Sequence, residues 1–103
     1  MTDSPLTGAQ KTYLRGQGQK LDATLKVGHG GLTPGFFIEF ANQIKGEELV
    51  KVRFVGFERD KRALLCEEIA EKGQAALISA VGHTAVFYKE NPTLTLRSIV
   101  FPD

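Results

Sequence analysis

Residues 28–31, Gly28-His29-Gly30-Gly31, form a G-x-x-G stretch in which three of four positions carry no side chain. Glycine takes positive φ freely and leaves its backbone unshielded, so an anion can reach the main-chain N–H groups directly. The residues that follow strengthen this chemistry. Thr33 is a candidate helix N-cap, Pro34 suits the first helical position, and Leu32 is placed to staple onto Phe37. The positive end of that helix dipole would then lie beside the turn, where it favours phosphate or carboxylate. Gly-rich turns also serve as plain connectors. There is no G-x-x-x-x-G-K-[ST], and Gly28-His29-Gly30 lacks the last glycine of a dinucleotide fingerprint.

Cations cluster around this stretch in sequence. Lys11, Arg15, Lys20 and Lys26 stand against Asp22 alone between residues 7 and 31, whereas the segment 60–73 is slightly acidic. Such asymmetry bears on partners rather than on fold. Other chemistry is poorly supported. His29, His83 and Cys66 occur singly, without metal-ligand spacing. No nucleophile–base pair or carboxylate pair stands out, so no catalytic residue, metal or cofactor is assigned. Cys66 falls in an apolar helical pattern, which suits a small buried hydrophobe, and a single cysteine makes no internal disulfide.

With 103 residues, 42% hydrophobic and 24% charged, the chain is sized for one globular domain with one modest core. The net charge of +1 does not by itself point to nucleic acid. No apolar run is long enough to span a bilayer, and the first five residues lack the features of a secretion signal. The expectation is a cytoplasmic protein without a membrane or small-molecule partner, with a monomer favoured.

Elements must position the turn. Thr7-Gly8-Ala9-Gln10 reads as a capping box opening a helix to about Arg15, fraying through Gly16 and Gly18. Lys11 and Arg15 share its face. Alternation from Thr24 to Val27 predicts a short strand into the turn. A second helix is expected from Pro34 to Lys45, with Phe36, Phe37, Phe40, Ala41 and Ile44 on its core face and Gly46 as the stop. Glu48–Val55 reads as a strand with Val50, Val52 and Phe54 inward and Lys51 and Arg53 outward, two cations able to touch nucleic acid but more often serving to keep a strand soluble. Asp60 is a plausible cap for a third helix to Lys72, with Leu65, Cys66, Ile69 and Ala70 buried and Gly73 at its end. Strands over residues 75–81 and 84–89 flank a Gly82-His83 hairpin. The order α-β-α-β-α-β-β predicts an α+β domain with a four-stranded mixed sheet and three helices. Residues 1–5 read as a flexible terminus, 6–90 as the domain, and 91–103 as a tail or an added strand.

Leu14-Arg15, Leu21, Gly28-x-x-Gly31-Leu32-Thr33, Glu48-Leu49-Val50-Lys51-Val52, and Gly82 followed by Val86-Phe87-Tyr88-Lys89 resemble the CRM domain, in order and spacing. This is the RNA-binding module of the bacterial YhbY family and of plant organellar intron-splicing factors. The resemblance spans roughly residues 6–89. It implies a fold similar to the C-terminal domain of bacterial translation initiation factor 3, and RNA binding through the G-x-x-G loop with nearby basic residues. For a stand-alone bacterial member it implies association with ribosomal RNA in precursors of the large subunit. The loop role falls on Gly28, His29, Gly30 and Gly31, and the supporting role on Lys11, Arg15, Lys20 and Lys26. The Gly30 and Gly31 amides, with the helix dipole at Thr33, are expected to hold one or two phosphates.

Three positions depart from the family pattern. His29 stands where a fixed charge or polar residue such as Lys is common, Gln19 replaces a histidine after the first helix, and Ala23 replaces a proline before the first strand. A histidine is mostly neutral at pH 7, so the loop has one fixed charge fewer. The expected function is therefore non-catalytic RNA binding in ribosome assembly, reading RNA shape more than base identity. The alternative is a protein-interaction module without direct RNA contact, supported by the near-neutral total charge and the acidic third helix.

Overall fold

The capping box at Thr7 forms as its sequence predicts. Thr7 Oγ1 accepts from the Gln10 N–H while Gln10 Oε1 accepts from the Thr7 N–H, both at 3.0 Å, and helix α1 (Gly8–Lys20) follows. The computed structural model describes residues 6–90, and the readings of 1–5 and 91–103 lie outside the described residues. After α1 come β1 (Leu25–Val27), α2 (Pro34–Glu47), β2 (Leu49–Phe54), α3 (Arg59–Gly73), β3 (Ala76–Val81) and β4 (Thr84–Tyr88). The strands form one mixed sheet in the order β1-β2-β4-β3. β1 and β2 are parallel, joined by α2 as a β-α-β crossover, whereas β4 runs antiparallel to both β2 and β3.

Alternation along the strands divides the core between the two sheet faces. Val50, Val52 and Phe54 of β2, with Leu25, Val27, Ala85 and Phe87, meet Phe36, Phe40 and Ile44 of α2 and Leu65, Cys66 and Ile69 of α3. Phe40 packs edge-on against Phe87, ring centroids 5.7 Å apart. Burying an aromatic this fully is worth about 1.5–3 kcal/mol, so this layer supplies most of the apolar stabilisation. On the opposite face Leu49, Ile78, Val86 and Tyr88 are covered by Leu14 of α1.

Several boundaries differ from the sequence reading, each for a tertiary reason. α1 does not fray after Arg15 but continues through Gly16 and Gly18 to Lys20. Gly18 seats the helix on the sheet, since a Cβ there would lie 2.9 Å from Val86 Cγ2. The end of α1 is then held by Lys51. This side chain is no outward solubilising cation, because its Nζ donates to the carbonyl oxygens of Gly18 and Leu21 at 3.3 and 3.2 Å. Gly46 does not stop α2; the left-handed residue is Glu48, fully buried, with φ 65°. Likewise the left-handed cap of α3 is Gln74 rather than Gly73. Gly73 serves close packing instead, since a Cβ there would lie 2.6 Å from the Phe40 ring. The N-cap of α3 is Glu58, without a side-chain bond, and Asp60 lies in the first turn, where its charge complements the dipole. Ala41, placed on the core face of α2 by its spacing, is exposed.

The β3–β4 hairpin turns at Gly82 and His83, with positive φ on Gly82 alone, as a type II′ turn requires. In β3 the register shifts between Leu77 and Ser79, so Ile78 is an extra, bulged residue.

Candidate functional site

The turn after β1 closes by a hydrogen bond from the Gly31 N–H to the Gly28 carbonyl oxygen at 2.9 Å. Only Gly31 has positive φ, at 72°, so it is the position that needs glycine for backbone reasons. A Cβ built on Gly28, Gly30 or Gly31 meets nothing within 4 Å, and His29 and Gly30 are exposed. The turn is therefore bare on its outer side. Its amide inventory differs from the sequence reading, which paired Gly30 with Gly31 as anion donors. The Gly31 N–H is consumed inside the turn. The N–H groups of Gly28, His29, Gly30 and Leu32 bond to no acceptor among the described residues.

Helix α2 begins directly behind the turn. Thr33 Oγ1 accepts from the Phe36 N–H at 3.0 Å, Pro34 has no N–H to lose, and the Gly35 N–H has no acceptor among the described residues. Leu32 and Phe37 both pack against the core from this end, fixing the entry of the chain into the helix. The outcome is a ledge of open N–H groups at the positive end of a 14-residue helix.

This ledge lies at the carboxyl end of the parallel strands β1 and β2, where open α/β sheets place their ligands. The neighbouring loops are bonded into the same end. The Val55 N–H donates to the Val27 carbonyl oxygen at 2.9 Å, and the Phe54 N–H donates to the His83 carbonyl oxygen at 2.7 Å. Arg62 Nη1 donates to the Phe57 carbonyl oxygen at 2.6 Å and lies 3.4 Å from His83 Nδ1. His29 and His83, 54 residues apart in the sequence, therefore occupy loops on one rim.

The four cations singled out in the sequence separate into two groups. Lys26 precedes the turn on β1 and points to the sheet face that carries α1, since Leu25 and Val27 face α2. Lys11 and Arg15 are exposed on α1, and Lys20 is exposed in its last turn. They belong to the helix that covers the same sheet face Lys26 points to, opposite α2, so the two groups are Lys26 on the strand leading into the turn and the exposed stripe on α1. Arg53, set aside in the sequence as a solubilising charge, is the register partner of Lys26 and is exposed. Equal spacing of Lys51 and Arg53 along β2 gave no sign that one would be tied to α1 and the other left open.

These features define a class of small α+β domain: a mixed four-stranded sheet between one helix and two, with a G-x-x-G turn linking the first strand to the helix that crosses to its parallel neighbour. The chain belongs to the CRS1/YhbY (CRM) domain family, whose model matches residues 6–89. It is 32% identical over 84 residues to a Haemophilus influenzae protein named RNA-binding protein, covering 82% of this chain and 85% of the relative. It is 33% identical over 87 residues to the Pseudomonas aeruginosa protein named "Probable RNA-binding protein PA4753", covering 84% of each. The solution structure of SAV1595 from Staphylococcus aureus, described as a candidate RNA-binding protein, superposes with a TM-score of 0.80. The identity there is 28%, over 95% of this chain and all of the other.

Proposed function

We propose that this chain binds RNA without acting on it chemically, through the bare G-x-x-G turn and the cations around it. One observation carries the reading: the N–H groups of Gly30, Leu32 and Gly35, at the head of α2, have no acceptor among the described residues, and Lys26 lies two residues before the turn. A phosphodiester is the anion this ledge suits, because it accepts several N–H bonds and gains from the helix dipole. A KH domain uses a G-x-x-G loop on nucleotides in the same manner on a different fold. Lys11, Arg15 and Lys20 add counterion release along the strand. Tyr88 is buried and Tyr13 half-buried, so neither offers an open stacking platform, and recognition rests on backbone shape. In the family context the RNA is ribosomal, in precursors of the large subunit, encountered in the cytoplasm.

The test is binding of a labelled large-subunit ribosomal RNA fragment by Gly30→Asp. That position is open and has no positive φ, so the substitution leaves the fold intact while placing a carboxylate among the donors. Binding should be lost with the melting temperature nearly unchanged; retained binding overturns the role of the turn. Sedimentation of cell extract tests the ribosomal assignment, which predicts co-migration with immature large subunits. A protein found only at the top of the gradient contradicts it.

A further inference from the structure

Along the α1-facing side of β2, cover falls away residue by residue: Leu49 is buried, Lys51 half-buried, Arg53 exposed. The cause is the place where α1 ends. Its last turn is anchored over the middle of the sheet by Gly18 against Val86 and by Lys51 on the Gly18 and Leu21 carbonyls. Beyond that point the sheet face is bare, and Arg53 stands there beside its register partner Lys26 on β1. Adjacent strands lie about 4.8 Å apart, so two like charges are held side by side. Neither side chain has a hydrogen bond or ion pair to another described residue. The strand residues on this face carry no carboxylate; Thr84, across from Arg53 on β4, donates its hydroxyl to the Val81 carbonyl oxygen.

Like charges directly opposite each other in a sheet work against the fold, and either residue could be replaced by an uncharged one without loss of packing. The turn begins two residues after Lys26. We infer that Lys26 and Arg53 form a second phosphate seat on the bare sheet face, holding an RNA phosphate next to the one at the turn. The strand of RNA then runs from the head of α2 over the exposed end of β1 and β2 toward the end of α1, where Lys20 lies. This inference rests on the RNA-binding reading above and adds Arg53 to the site.

The experiment uses Lys26→Gln, Arg53→Gln, the double variant and Arg53→Glu, with thermal unfolding in low salt and titration of the same labelled ribosomal RNA fragment. Relief of repulsion should leave the unfolding midpoint of each single variant equal to or above wild type, and the double variant should gain no more than either single one. Arg53→Glu, which creates an ion pair with Lys26, should have the highest midpoint. RNA affinity should fall several-fold with each neutralisation and furthest with Arg53→Glu. The slope of log affinity on log salt should shrink by about 0.7–0.9 per charge removed. Unchanged affinity and slope in variants of a binding wild type overturn this inference alone. A lowered midpoint in Arg53→Gln also overturns it, by making the residue structural. A wild-type chain that does not bind the fragment takes the broader reading down with it.

Discussion

Lys51 on β2 holds the end of α1, its Nζ 3.2 Å from the carbonyl oxygen of Leu21. A helix end leaves carbonyl oxygens without partners, and here a strand lysine supplies the missing donor from below. The same ammonium reaches the Gly18 carbonyl, so one side chain closes the last turn and ties it to the sheet.

Lys51→Met keeps the apolar stem and removes the donors. Hydrogen bonds to a charged group contribute about 1.5–3 kcal/mol when buried, and this one is only partly so. The variant should lose about 1–2 kcal/mol in urea unfolding. Amide exchange should quicken first in residues 17–21, before the rest of α1.

Helical glycines give opposite outcomes according to what faces them. Gly16→Ala and Gly46→Ala, with nothing within 4 Å of the added Cβ, should each stabilise by about 0.5–1 kcal/mol. Gly73→Ala drives a methyl into the Phe40 ring and should destabilise by about 1–3 kcal/mol despite the better propensity. Adding Phe40→Leu to Gly73→Ala should cost less than the sum of the two single changes, a coupling that a double-mutant cycle reads directly.

Gln74 and Gly31 both occupy positive φ, one without glycine and one with it. Gln74 is exposed, so Gln74→Gly relieves about 1 kcal/mol of left-handed strain. The melting temperature should rise by about 4–8 °C. Gly31→Ala imposes the same strain and should lower it by a similar amount, while Gly30→Ala leaves it nearly unchanged.

Cys66 is buried between α3 and the sheet, and burial pushes its thiol above the ordinary value, with Arg62 offsetting part of the rise. An acid whose folded pKa is raised ionises more readily once unfolded. Its contribution is therefore complete below the unfolded thiol pKa and declines as pH rises through the interval up to the folded value. Stability should fall above the ordinary thiol range in wild type, and less steeply in Cys66→Ala, which starts lower because of the cavity. Alkylation by iodoacetamide should be slow in the folded protein and fast in denaturant.

The features legible in the sequence are those decided within a few neighbouring residues. The Thr7 box, the Thr33-Pro34 entry into α2, the Gly82 hairpin and the alternation of β2 all depend on local geometry. What escaped depends on contacts distant in the chain. Gly18 and Gly73 look like helix breakers until Val86 and Phe40 are seen against them. Glu48 and Gln74 take left-handed positions that glycines two and one residues earlier seemed made for, because those glycines lie inside the helices. At the candidate site the turn and Lys26 were evident, but Arg53 was not, since its freedom depends on where α1 halts. The Gly31 amide was misjudged because the turn closes on itself.

Both margins of the sheet are poor templates for another strand. β1 runs for only three residues, and β3 is kinked by the extra Ile78. A straight row of unpaired amides is what lets neighbouring molecules zip edge to edge, and neither margin offers one. Fusion of copies through either of these two margins is therefore disfavoured.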